Sequence, residues 1–138
     1  MIVLDTNVIS EEMKPAPEPM VHNWLLRQNP LDLFTTAVTE AEINFGVANL
    51  PDGKRKRDLD AAAQRILALF AGRILSFDSR AARVFALIAA DRRRIGRPIE
   101  DFDAQIAAIT RAQGMSLATR DAQDFADTGV SVINPWLP

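Results

Sequence analysis

Met1-Ile2-Val3-Leu4-Asp5-Thr6-Asn7 is the stretch on which the reading of the whole chain turns. An unbroken apolar run of this length, rich in β-branched residues, describes a strand buried on both faces, the kind that parallel sheets contain. It runs straight into an acid. Open α/β sheets bind their ligands just beyond the carboxyl ends of the strands, and Asp5 falls at such a place. An isolated Asp there also caps the turn that follows, here Thr6-Asn7, so the rest of the chain has to decide between the two roles.

Working outward, short apolar runs recur near 33–36, 73–77, 115–118 and 130–133, with the first strand placed at 1–5. Amphipathic stretches separate them. The spacing of Val21, Trp24 and Leu25 predicts a helix over 18–28, entered through Pro15, Pro17 and Pro19. Ile43 and Val47 predict a second over 39–49, closed by Pro51-Asp52-Gly53. Longer helices are predicted over 54–71, 79–95 and 101–113, ended by Gly72, Gly96 and Gly114, and a short one near 123–126. The helices over 54–71 and 79–95 are expected to pair as an arm. Alternation of this kind predicts an α/β fold, a parallel sheet covered by helices.

At 138 residues the chain is expected to form one domain with one core. It has no cysteine, which excludes disulfides, thiolate metal sites and cysteine nucleophiles and suits a reducing compartment. Asp5 interrupts the only early apolar run, no basic leader precedes it, and no stretch approaches a membrane span, so the protein is expected to be soluble and cytoplasmic. The net charge of −2 gives no overall reason to propose nucleic acid. Lys54-Arg55-Lys56-Arg57 and Arg92-Arg93-Arg94 with Arg97 are nevertheless local clusters that would suit a phosphate backbone, or simply solvated helix faces.

The acids carry the chemistry. Glu42 closes Thr39-Glu40-Ala41-Glu42, which fits a capping box, yet Phe45 and Gly46 at i+3 and i+4 suggest that its face of the helix is close-packed and that Glu40 is the solvent acid. Asp101 and Asp103 straddle a helix start. Asp103 lies one turn before Ile106 and Ala107 and is expected to point toward the sheet, with Asp101 outward as the cap. Asp121 follows the strand at 115–118 through Thr119-Arg120, and Asp124 comes three residues later. Acids gathered at one end of a parallel sheet repel one another unless a cation neutralises them. Oxygen ligands without His or Cys select Mg²⁺ or Mn²⁺ over zinc. His22, the one histidine, is expected at the surface or in packing, and Trp24 and Trp136 in core or interface.

At these residues the chain resembles the PIN-domain ribonucleases of the VapC type, the toxin halves of bacterial toxin–antitoxin pairs. The matching pieces are Leu4-Asp5-Thr6-Asn7-Val8-Ile9-Ser10-Glu11, Thr39 to Val47, Asp103-Ala104-Gln105-Ile106-Ala107-Ala108, Leu117-Ala118-Thr119-Arg120-Asp121 through Phe125, and Val132-Ile133-Asn134-Pro135-Trp136. The opening and the Asn-Pro-Trp ending are similar to the FitB-like branch. The resemblance implies a three-layer PIN-like fold over 1–138, with a central five-stranded parallel sheet flanked by helices. It also implies Mg²⁺- or Mn²⁺-dependent cleavage of RNA by Asp5, Glu42, Asp103 and a fourth acid, with Asp121 ranked before Asp124. Thr6 and Thr119 match the positions that orient this cage, and Arg120 lies beside it. Arg92, Arg93, Arg94 and Arg97 are weaker candidates for the RNA backbone. A homodimer, a small DNA-binding antitoxin and a larger assembly with operator DNA are implied as partners.

Other classes fit less well. A phosphoacceptor receiver wants an acidic pair after its first strand and a Lys after its last, and neither is present. A phosphatase with an Asp nucleophile wants a second Asp where Asn7 stands. A PIN scaffold serving only to bind would have lost acids that this chain keeps. A housekeeping RNA-processing nuclease of the same fold is the alternative within the nuclease class.

Overall fold

A computed structural model describes residues 1–138. In chain order the elements are β1 (Ile2–Leu4), α1 (Thr6–Glu12), α2 (Pro19–Leu26), β2 (Leu33–Thr36), α3 (Ala37–Ala48), α4 (Lys54–Ala68), β3 (Ile74–Leu75), α5 (Ser79–Arg94), α6 (Asp101–Ala112), β4 (Ser116–Ala118) and β5 (Val132–Ile133). Single 3₁₀ turns occupy Pro30–Asp32 and Ala122–Phe125. The five strands form one sheet in the order β3-β2-β1-β4-β5, and every pairing is parallel. The chain builds outward from β1 to β2 and β3, then returns to lay β4 on the other side of β1. The crevice between the carboxyl ends of β1 and β4 is therefore a topological switch point.

Successive strand residues point to opposite faces, and the two layers of helices follow from that. Leu4 and Ala118 face one core with Val8, Ile9, Val21, Ile43, Ala63 and Ile66, from α1 to α4, and Phe70 just after α4. Val3 and Leu117 face the other with Ile88, Ile106, Ala107 and Ile109, from α5 and α6. The arm expected from 54–71 and 79–95 does not form. Helix α4 packs on α3 and α5 along α6, so the two lie over opposite faces of the sheet. Their apolar stripes were legible, but a stripe does not say which partner it meets.

Three local expectations change. Strand β2 passes into α3 without a loop, so Thr36 is the cap, accepting from the Thr39 amide at 3.0 Å, and the capping box at Thr39–Glu42 does not form. Phe45 is 68% exposed and Gly46 has open space about it, so the face beyond Glu42 is not close-packed in the single chain. At α6 the cap position belongs to Glu100, which makes no side-chain bond, and Asp101 is an exposed first-turn residue. His22 and Trp24 fall as expected, His22 exposed against Glu12 and Trp24 packed at the edge of the first core.

Arg92 is not available to an RNA backbone. It is 5% exposed, donating through Nε to the Arg97 carbonyl at 2.7 Å and through Nη1 to those of Asp124 and Ala126 at 2.9 Å each. It ties the end of α5 to the turn after β4. Arg92→Ala would leave these acceptors without partners in a buried place, and is expected to lower the unfolding free energy by about 3 kcal/mol. A urea melt checks this; an unchanged midpoint would return Arg92 to the surface group. Of the others, Arg94 pairs with Asp91 at 2.7 Å and Arg97 with Asp127 at 3.2 Å, while Arg93 is exposed.

Candidate active site

Asp5 caps α1, and that is why its side chain is held still: its Oδ1 accepts from the Thr6 amide at 2.8 Å. Its own amide is bound to the Ala118 carbonyl at 2.9 Å, which continues the β1–β4 ladder into the site. The capping role and the site role belong to one geometry. Oδ2 accepts from the Thr119 hydroxyl at 2.7 Å. Thr119 in turn accepts from Asn7 Nδ2 at 3.2 Å and from the Asp121 amide at 3.1 Å. Asn7 Nδ2 also donates to Asp121 Oδ2 at 3.0 Å. On the other side, the Thr6 hydroxyl donates to Glu42 Oε1 at 2.8 Å and lies 3.0 Å from the Thr39 hydroxyl.

The result is an open cleft of about 400 Å³ at the switch point, with Asp5, Glu42, Asp103 and Asp121 all on its wall. Thr6, Asn7, Arg120 and Trp136 line it too. All four acids singled out first in the sequence meet here. Asp124 does not line this cleft; it is exposed and flanks Asp103 from an adjoining pocket with Arg92, Pro98 and Glu100. Thr6 and Thr119 hold the acids as expected, and Arg120 stands beside them. Four further polar residues, Asn7, Ser10, Glu11 and Lys14, line the cleft without having been singled out for a role in the sequence. The signal was there: Asn7, Ser10 and Glu11 on α1, with Lys14 just past its end, recur at helical spacing, in a helix hidden by its shortness behind a strand.

Electrostatically the cleft is unbalanced. Burial pushes Asp5 up to about 6 against the hydrogen bonds from Thr119 and Thr6, helped by the charges of Glu42 and Asp121. Asp103 makes no side-chain hydrogen bond, and burial, followed by the charges of Asp5, Asp124, Glu42 and Glu100, pushes it up to about 7. Glu11 behaves oppositely. Burial works to raise it, but hydrogen bonds from Lys14 and the Glu18 amide, with the attraction of Lys14 and Arg120, hold it below the usual range.

The donor set fits a hard divalent cation: all-oxygen, several carboxylates, two of them with pKa values raised by desolvation and by neighbouring acids. As the side chains stand, no three acids close on one point tightly enough to hold an ion directly between them. Asp5 and Asp103 would hold it, with Glu42 and Asp121 joining directly or through water.

A parallel five-stranded sheet with an acidic cleft at its switch point is the setting of a PIN domain, and the chain belongs to that family, which matches residues 2–130. Among its relatives is the toxin FitB of Neisseria gonorrhoeae, 43% identical over 137 residues that cover 99% of each chain. The VapC ribonuclease Y4jK of Sinorhizobium fredii is 42% identical over 139 residues, 100% of this chain and 99% of that one. In a solved structure, FitAB bound to an IR36 DNA fragment, one chain matches with a TM-score of 0.92 at 43% identity, covering 100% of this chain and 97% of that one.

Proposed function

We propose that this chain is the toxin of a type II toxin–antitoxin pair, a single PIN domain over 1–138 that hydrolyses RNA phosphodiester bonds with Mg²⁺ or Mn²⁺. One observation carries the chemistry: Asp5, Glu42, Asp103 and Asp121 line one cleft, and Asp5 and Asp103 are raised by burial and by their neighbours' charges. A cation bound among them would act as a Lewis acid on the phosphate and lower the pKa of an attacking water. Asp5 and Asp103 hold the charge that attracts it. Thr119 fixes the orientation of Asp5, and Asn7 that of Asp121. Glu42 is fixed through Oε1 by Thr6, which leaves Oε2 to accept a proton from water. Asp124, outside the cleft, adjusts the charge at Asp103.

The toxin role, rather than housekeeping RNA processing, is supported by relatives named as a toxin and a VapC ribonuclease over nearly their full length. By analogy with FitAB on DNA, a small DNA-binding antitoxin would cover the cleft and carry the pair to operator DNA. Exposed Phe45 and Phe102 support joining of two copies or of toxin and antitoxin. No helix is long and apolar enough to cross a membrane, and the proposed place of action is the cytoplasm.

Purified protein is expected to cut single-stranded or looped RNA in Mg²⁺ or Mn²⁺, to stop in EDTA, and to be silenced by the product of a small neighbouring gene. Cutting that persists in EDTA would remove the metal-dependent reading. A solitary gene whose expression leaves growth unaffected would favour housekeeping.

A further inference from the structure

We propose that Trp136 is a positioning residue, which holds Arg120 at the cleft so that its guanidinium receives the RNA phosphate beside the one being cut. The inference rests on the ribonuclease reading and goes beyond it by naming the cation that meets the substrate and what aims it. Such a group has a clear use there, because a phosphodiester approaching the five carboxylates of the cleft is repelled. Two cations line it, Lys14 and Arg120. Lys14 is paired with Glu11 at 3.1 Å. Arg120 makes no ion pair; its guanidinium carbon lies 5.4 Å from the centre of the Trp136 ring.

The backbone around Arg120 is clamped from two sides. Its amide donates to Asn7 Oδ1 at 3.3 Å, and its carbonyl accepts from Asn134 Nδ2 at 3.4 Å. Asn134 Oδ1 accepts from the Trp136 amide at 2.9 Å, which closes the turn that carries the indole. Pro135 between them is buried, and Trp136 packs against the edge of the first core. With both main-chain groups tied, only the side-chain torsions of Arg120 are free, and the indole face restricts those. An arginine over an aromatic face leaves the N–H groups in its own guanidinium plane free to meet an oxyanion, in a fork that lysine on a flexible stem does not offer. The basic run after Asp91 offers no equivalent: Arg92 is buried, Arg94 and Arg97 are paired, and neither these nor exposed Arg93 line the cleft.

The test compares wild type with R120A, W136F, W136L, N134A and the double variant R120A/W136L. Two quantities are read: steady-state cleavage of a single-stranded RNA in Mg²⁺, and binding of the same RNA in EDTA, by fluorescence anisotropy across a salt series. R120A is expected to raise Kd and KM about tenfold and to reduce the salt slope by about one. W136L keeps apolar volume but loses the π face, and is expected to raise KM about three- to tenfold with little change in kcat. W136F should recover most of that loss. The double variant should be no worse than R120A, since Trp136 acts through Arg120. N134A removes the clamp without removing core contacts, so it decides the matter if W136L melts early; it should shift KM in the same direction.

Wild-type protein that cuts no RNA would sink the ribonuclease reading and this inference with it. Wild-type cutting with W136L or N134A indistinguishable from it, or losses that multiply in the double variant, would overturn the positioning role alone.

Discussion

Replacing Asp103 by Asn is expected to lower kcat/KM on RNA by about a thousandfold or more, roughly 4 kcal/mol of transition-state stabilisation, with the fold intact. Asp103 is the cleaner of the two substitutions at the centre, because its carboxylate makes no hydrogen bond that an amide would disturb. Asn at position 5 should be as damaging but less simple. Its Nδ2 would face the Thr119 oxygen, which already accepts from Asn7 and from the Asp121 amide, so the hydroxyl that now donates to Asp5 has nowhere favourable to turn. Both changes remove a charge from a crowded cleft. In EDTA at pH 7.5 the Asp103→Asn protein should melt no lower than wild type. Measured rates with a melt on each variant separate lost chemistry from lost structure. Asp103→Asn protein that cuts RNA at the wild-type rate would refute the cage.

The second large effect joins pH to metal. In EDTA the cleft acids should make the protein less stable as pH rises from about 4 to about 7. The unfolded chain ionises these Asp residues near 3.8, whereas the folded chain holds Asp5 protonated to about 6 and Asp103 to about 7. Between those values the folded state binds more protons, so the unfolding free energy falls with rising pH. Below 3.8 both states are protonated and nothing is lost; above about 7 both are ionised and the loss is complete. For buried Asp5 the change corresponds to roughly 3 kcal/mol. Asp103 is half-buried, and screening by solvent makes its contribution smaller than its displaced pKa would imply. The groups facing the pair are Glu42, Glu100, Asp121 and Asp124 on the negative side, with Lys14 and Arg120 on the positive.

A divalent cation should reverse this loss. At a hundred times its Kd it adds about 2.7 kcal/mol, and at pH 5 it adds less because it must displace protons from the ligands. Melting curves at pH 5 and pH 8, with EDTA or Mn²⁺, on wild type and Asp103→Asn, isolate the effect from the other carboxylates. Equal Mn²⁺ shifts at both pH values, or in both proteins, would count against ligation by these residues.

Much of the fold and site is readable in the chain itself, and the exceptions share a cause. Strands are visible because consecutive apolar residues such as Ile2-Val3-Leu4 leave no helical alternative of that length. Asp5, Glu42, Asp103 and Asp121 are visible because each follows a strand or opens a helix turn at the same end of a parallel sheet. Helix α1 is not: seven residues give barely two turns, and Val8-Ile9 reads as easily into a loop after the strand. With α1 go Asn7 and Glu11. The false arm is an error of partnership, and the capping box, weighed as an alternative for Glu42, fails on the same ground. Periodicity shows which side of α4 or α5 is apolar, and Thr39 fits a cap until Thr36, still in the strand, is seen to have taken the position. Arg92 belongs to a run of three arginines, and nothing local marks the one that turns inward.

The sheet tapers at both margins, where β3 and β5 contribute only two residues each. Outer strands this short offer almost no unpaired backbone for another molecule to extend. A protein built around exposed aromatic side chains would otherwise invite runaway polymerisation when produced in excess. Here self-association is left to side-chain faces, so any assembly it enters should form without extending the sheet from copy to copy.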